Sequence, residues 1–270
     1  VEAAGVKASV SERTGIRTAE VIREDDRWGR SFTVRLNGLD VFCKGANWIP
    51  IDNFPHRRSR DDYDRLIGDA AECNMNMLRV WGGGLYENED FYAACDSLGV
   101  MVWQDMAFAC GMFPADSAYL ASVSAEVRDN IRRLRNHPSI VLWCGNNENE
   151  ISYFEWGWNR TLTGEQQKDY EAGLRRLFYE TIPEAIAMED DTRYYHPSSP
   201  STGHSGVPYS MGDAHFWSVW KGGWVEEYLK PGNIARFMSE YGFIAYPEMA
   251  SLKQFIPDWD MRADSPSVLA

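Results

Sequence analysis

The sequence predicts an α/β fold, a (β/α)8 TIM barrel, and three observations support it. Short, continuously apolar segments alternate with helical periodicities, as strands buried on both faces of a parallel sheet require. No Gly-x-Gly-x-x-Gly follows the first strand and no Gly-x-x-x-x-Gly-Lys-Ser/Thr loop occurs, which disfavours an open nucleotide-binding sheet. Polar and aromatic residues gather at the C-terminal ends of the strand segments, where such barrels hold their sites. Seven barrel strands are counted, not eight. Nothing from Lys253 to Ala270 reads as a final strand with its helix, so the barrel is expected to be truncated before its eighth strand. Residues 1–30, rich in Ser, Arg and Glu, are expected to be the tail of a preceding β-sandwich domain, with 31–270 forming the barrel.

Phe32 to Arg35, Asn37-Gly38 and Val41 to Cys43 read as a hairpin, because Asn-Gly suits a tight primed turn; the second run continues to Trp48. Ser59 reads as an N-cap, and Tyr63, Leu66, Ile67 and Ala70 then mark one buried helix face. Met75 to Trp81 is the next strand, stopped by Gly82-Gly83-Gly84. A helix from Glu89 to Leu98 closes at Gly99. Val100 to Trp103 is a strand, and a helix from Tyr119 to Arg135 ends before His137-Pro138. Ser139 to Cys144 is the clearest buried strand. A polar helix spans Glu165 to Met188 with Pro183 expected to kink it, and further strands are expected at Arg193 to His196, Gly212 to His215 and Ile234 to Ser239.

With 27 Lys+Arg against 40 Asp+Glu, the net charge of −13 is poorly suited to coating nucleic acid or an anionic membrane, so neither is an expected partner. No segment approaches the roughly 18 apolar residues of a membrane span. Eleven Trp point to heavy core packing or to a cleft lined with flat apolar faces. Five cysteines stand apart without a Cys-x-x-Cys pair and read as reduced core thiols. With no signal peptide visible, they favour a cytoplasmic setting. The five histidines show neither His-Glu-x-x-His nor His-x-His spacing, so no metal site and no cofactor are expected. Asn159-Arg160-Thr161 matches a glycosylation acceptor, a triplet common by chance.

The strand ends carry Asn47-Trp48, Arg79-Val80-Trp81, Trp103-Gln104-Asp105, Asn146-Asn147-Glu148, Asp213 to Trp217 and Ser239-Glu240-Tyr241, a polar cleft with stacking platforms. Two carboxylates stand out: Glu148, after the buried fourth strand, and Glu240, at the end of the seventh. Cleavage of a glycosidic bond needs such a pair, one protonated to release the leaving oxygen and one ionised to attack carbon or activate water. Glu150, Glu155 and Asp105 are weaker candidates, read as orienting or solvated groups.

On these residues the chain resembles the catalytic domain of family 2 glycoside hydrolases, most closely their β-mannosidase branch. The resemblance rests on Lys44 to Pro50 (KGANWIP), Asn74 to Gly84 (NMNMLRVWGGG), Val102 to Asp105 (VWQD), His137 to Glu150 (HPSIVLWCGNNENE), Gly212 to Trp220 (GDAHFWSVW) and Ser239 to Phe243 (SEYGF). It implies a retaining, exo-acting hydrolase that removes terminal non-reducing β-D-mannose by double displacement, with Glu148 as acid/base and Glu240 as nucleophile. Asn147 would bond the sugar 2-hydroxyl, and Arg79 would set a positive charge beside Glu240. Burial would raise the pKa of Glu148, and Tyr241 or a neighbouring tyrosine would donate to the nucleophile. Trp81, Asp105, His215 and Trp217 would shape the sugar subsite. In the family an eighth strand and preceding sandwich domains help close the pocket, so the bare chain is expected to have little activity. β-Galactosidase, β-glucuronidase and exo-β-glucosaminidase activities, and a carbohydrate-binding protein without catalysis, are the alternatives.

Overall fold

The computed structural model describes residues 2–269 apart from 4, 5, 8, 10, 12, 13 and 244. Near the start, β1 (Ala19–Ile22), β2 (Thr33–Leu36) and β3 (Leu39–Val41) form an antiparallel sheet in the order β1-β2-β3. The expected 30/31 boundary therefore falls between two paired strands. The β2–β3 turn is the primed one expected, with φ of 49° at Asn37 and 79° at Gly38, values an Asn-Gly pair accepts at low cost. The second hairpin strand ends at Val41, earlier than expected. After a break, β4 (Gly45–Trp48) begins the barrel as a separate parallel strand.

A capping box then starts α1 (Arg60–Glu72): the Ser59 hydroxyl accepts from the Asp62 amide while Asp62 reaches back to the Ser59 amide. Such caps are worth about 1 kcal/mol. The chain continues through β5 (Met77–Val80), α2 (Glu89–Leu98), β6 (Met101–Asp105), α3 (Ser117–Leu134) and β7 (Ile140–Cys144). Gly99 closes α2 in the left-handed conformation at φ 70°, as its position implied. After β7 come α4 (Asn149–Phe154), α5 (Gly164–Arg175) and α6 (Ile182–Ala187). A π-helical turn at Arg176–Thr181 joins the last two. Pro183, which has no N–H to give the preceding turn, follows that irregularity at once, so the sequence placed the disturbance well.

Then come β8 (Tyr194–His196), β9 (Asp213–Phe216) and β10 (Phe237–Tyr241). The strands β4, β5, β6, β7 and β8 pair in parallel, in that order, and β9 pairs in parallel with β10. The seam between β8 and β9 is bridged by side chains converging on Asp213: His196 Nε2 lies 2.9 Å and Ser199 Oγ 2.7 Å from its carboxyl oxygens. Between β4 and β10 no ladder runs among the described residues. Asn47 Nδ2 reaches Ser239 O at 3.1 Å, and a cavity of about 1290 Å³ opens there, lined in part by Phe42, Ala46, Trp103, Phe237 and Met238. Strands β5, β6, β7 and β9 are buried along their length, whereas β4 is largely exposed and β10 half-buried.

Two apolar clusters hold the fold. One fills the space between helices and strands, with Tyr63, Ile67, Phe91, Val127, Ile131, Trp143 and Phe178. The other fills the barrel interior: Phe32 and Val34 of the hairpin close it from below, packing with Met77, Met101, Trp103, Val141 and Leu142. Each large side chain so buried contributes about 1.5–3 kcal/mol. All five cysteines are unpaired; Cys95 and Cys144 are core thiols, but Cys73 is exposed, against the expectation that all five sit in apolar surroundings.

Candidate active site

Register builds the site. The β9–β10 pairing shifts between Ala214 and His215, so that Ala214 faces Met238 but His215 faces Glu240. One extra residue on β10, Ser239, thereby brings His215 and Glu240 to the same level, a common use of a bulge beside a site. Glu240 lies within β10, which ends at Tyr241, two residues beyond the Ser239 that the sequence implied.

Glu148 arrives differently. It follows β7 in the left-handed region at φ 62°, ψ 11°, a conformation that costs a non-glycine residue about 1–2 kcal/mol. Tertiary hydrogen bonds hold it there. Glu148 N donates to Ser199 O at 2.7 Å, Asn147 N to Phe108 O at 2.9 Å and Cys110 N to Asn147 O at 2.9 Å. Asn146 pins the same turn by donating from Nδ2 to Pro197 O at 3.0 Å.

The two carboxyls meet at His215. Its Nδ1 lies 2.7 Å from Glu148 Oε1 and 3.4 Å from Glu240 Oε2, and one atom of each residue falls within 4.8 Å of the others. Arg79 supports Glu240 from beneath, Nη1 donating to Oε1 at 2.6 Å, and Trp217 Nε1 donates to Oε2 at 3.1 Å. The same guanidinium donates to Asn47 Oδ1 at 3.0 Å, Asn147 Oδ1 at 2.8 Å and Asp105 Oδ2 at 2.9 Å. Burial opposes the charge on Arg79, but Asp105 and Glu240 outweigh it and raise the pKa further.

The structure brings Glu148, Glu240, Asn147, Arg79, His215 and Trp217 together, and three expectations need correction. Asp105 does not shape a sugar subsite. Its side chain is buried and its oxygens are taken by Arg79, by Trp103 Nε1 at 2.8 Å and by Gly82 N at 3.0 Å, so it anchors Arg79. Tyr241 does not serve the nucleophile: it is 59% exposed and packs edge-on against Tyr228, while the donors to Glu240 are Arg79 and Trp217. Glu148 is not held high. Burial pushes its carboxyl up, yet the His215 hydrogen bond and charge, with Cys110 and Arg79, outweigh burial and hold it below the usual range. Trp81, half-buried, lies over Gly83 and has no hydrogen bond to either carboxyl.

Sequence reasoning missed Cys110, whose Sγ lies 3.3 Å from Glu148 Oε2 and 3.6 Å from Asn147 Nδ2. Burial and the neighbouring carboxylate push this thiol up to about 12, so it stays a donor. Also missed were Ser199 and His196; Asn47 and Asp213 had been noted only as parts of strand ends. No spacing signal pointed to these four, because they meet only across strands. The lesser carboxylates sit apart: Glu150 accepts from Tyr179 Oη at 2.6 Å and Glu155 from Ser205 N at 2.9 Å. Glu148, His215 and Glu240 are close enough to surround a small cation, a grouping that sequence spacing did not show. The positive charge beside Glu240 is already supplied by Arg79.

Residues 74–169 match the family described as glycosyl hydrolases family 2, TIM barrel domain. Within it the likeness is to β-mannosidases. The chain is 42% identical over 254 residues to β-mannosidase B of Emericella nidulans, covering 92% of this chain and 30% of the relative. It is 38% identical over 276 residues to the β-mannosidase of Bos taurus, covering 96% of this chain and 30% of that protein. Among solved structures it resembles the β-D-mannosidase of Dictyoglomus thermophilum, with 44% identity and a TM-score of 0.81 over 93% of this chain and 30% of that one. The chain therefore spans about 30% of the length of the relatives it matches.

Proposed function

We propose that the protein carrying this chain is a retaining, exo-acting β-mannosidase, with Glu240 as nucleophile and Glu148 as acid/base. The observation that carries this is the approach of the two carboxyls, with an atom of each inside a 4.8 Å cluster around His215. That is near the separation of about 5–5.5 Å used by retaining enzymes and too close for an intervening water. Glu240 attacks the anomeric carbon as the bond to the glycosidic oxygen breaks, and the proton of Glu148 goes to that oxygen. Glu148 then takes a proton from water, the water oxygen bonds to the same carbon, and the ester to Glu240 breaks to restore its carboxylate. Asn147 has its Oδ1 fixed by Arg79 and one amide N–H directed at Cys110 Sγ, which leaves the other N–H to meet the sugar 2-hydroxyl. Trp217 provides an apolar wall beside Glu240.

Replacement of Glu240 by Ala tests the assignment: turnover of an aryl β-mannoside should disappear, and undiminished turnover would overturn it. A panel of chromogenic glycosides separates β-mannosidase from β-galactosidase, β-glucuronidase and exo-β-glucosaminidase activity, and failure on every member would favour a non-catalytic binder. The substrate is read as a glycoside ending in β-mannose. Five unpaired cysteines support a reducing, cytoplasmic setting. No helix among the described residues is long and apolar enough to cross a membrane. Residues 1–30 are read as the tail of a β-sandwich, whose antiparallel pairing continues past residue 30 into the hairpin of residues 33–41. The opening between β4 and β10 supports a barrel lacking its eighth strand in this chain. Water entering there beside Arg79 would weaken the site, so the 270 residues alone should show little turnover.

A further inference from the structure

We propose that His215 stores the catalytic proton of the acid/base Glu148, and that Ser199, braced by Asp213, is the positioning residue that makes this possible. The inference rests on the assignment of Glu148 above and concerns proton placement around it. Ser199 Oγ lies 2.7 Å from Asp213 Oδ2 and 3.1 Å from His215 Nε2. A hydroxyl has one proton to give, and the nearer, ionised acceptor takes it. Asp213 is buried, yet His196, Ser201 and His215 outweigh that burial and hold it far below the usual carboxylate range. Ser239 Oγ, at 2.8 Å, donates to the same oxygen as Ser199, and Ser201 N and Oγ donate to the other. Ser199 therefore turns a lone pair toward His215, and Nε2 must carry hydrogen.

The other ring nitrogen then faces carboxyl oxygens. Nδ1 sits 2.7 Å from Glu148 Oε1, a distance at which a bare nitrogen and a bare carboxylate would repel. One further proton lies between them, and the two residues bind it jointly. Glu240 Oε2, at 3.4 Å from Nδ1, favours the imidazolium, as does Glu148 itself, while Cys110 Sγ and Arg79 favour the carboxylate of Glu148. In the open cleft the proton resides on Nδ1, as an ion pair with Glu148. A sugar that expels water removes the hydration of that pair and favours its neutral form. The Nδ1–H bond breaks, the Oε1–H bond forms, and the positive and negative charges cancel. No proton enters from outside; Glu148 becomes an acid when substrate is present.

The test is Ser199→Ala in the enzyme carrying this chain. Loss of the acceptor for Nε2–H weakens proton binding by the pair, so the basic limb of kcat/KM moves to lower pH by about one unit. At neutral pH, kcat/KM for an alkyl β-mannoside, whose leaving group needs a proton, falls about tenfold, while that for the 2,4-dinitrophenyl glycoside stays within about twofold. Ser199→Thr, which keeps the hydroxyl, restores the basic limb. Equal losses on both substrates with an unmoved basic limb would overturn the inference. Nitrogen-15 NMR of the unaltered protein supplies a second measurement that does not depend on the variant folding. Nε2 should be protonated throughout, with Nδ1 protonated in the empty site and bare once D-mannose is bound; a bare Nε2 would overturn it. These results are separable from the assignment itself, which the turnover of Glu240→Ala and the glycoside panel test.

Discussion

Replacing Arg79 by Met tests how the floor of the site is held together. Arg79 is 4% exposed, and its guanidinium reaches Asp105, Glu240, Asn47 and Asn147 at once. Met fills much of the same volume, so the loss is electrostatic more than steric. Asp105 keeps the donors Trp103 Nε1 and Gly82 N, and Glu240 keeps Trp217 Nε1 with His215 Nδ1 at 3.4 Å, but Asp105 loses its positive partner and Glu240 its nearest one. Leaving one side of a buried ion pair uncompensated costs about 3–5 kcal/mol, and the retained donors argue for the lower end of that range. Urea unfolding at neutral pH measures it, and a deficit below about 1 kcal/mol would refute the reasoning.

Two other perturbations follow from the structure. Burial opposes the charge on His137, but Asp96 Oδ2 at 2.7 Å and Glu89 Oε2 at 2.9 Å outweigh it and raise its pKa. The stabilisation is therefore fully present below the unfolded value of about 6.5 and fades as pH rises through the folded one. His137→Asn should cost about 1 kcal/mol in urea unfolding at pH 6 and far less at pH 9, and equal costs would contradict this. At the site, Cys110→Ala removes the thiol that donates to the Glu148 carboxylate. The basic limb of kcat/KM should then move upward by less than about one unit, with Cys110→Ser close to the parent; a downward shift would count against the contact.

Local chemistry made much of this molecule legible in advance. Asn37-Gly38 demands a primed turn, Ser59 with Asp62 starts a helix, Gly99 ends one, and apolar runs such as Ile140–Cys144 allow only a strand buried on both faces. These depend on neighbours in sequence, and they set the alternation of strands and helices. The same reading found Glu148 and Glu240, because each stands at a polar strand end and the surrounding motifs are distinctive. What it missed depends on contacts between distant segments. The role of Asp105 turned on Trp103 and Gly82 already filling its lone pairs, and that of Tyr241 on its exposed packing against Tyr228. The low pKa of Glu148 arises because His215, brought level by a one-residue bulge, outweighs burial. Sequence determined which segments become strands and which acids stand at their ends. Only the tertiary structure decided which donor meets which oxygen, since hydrogen bonds and charges act over a few ångströms between residues far apart in the chain.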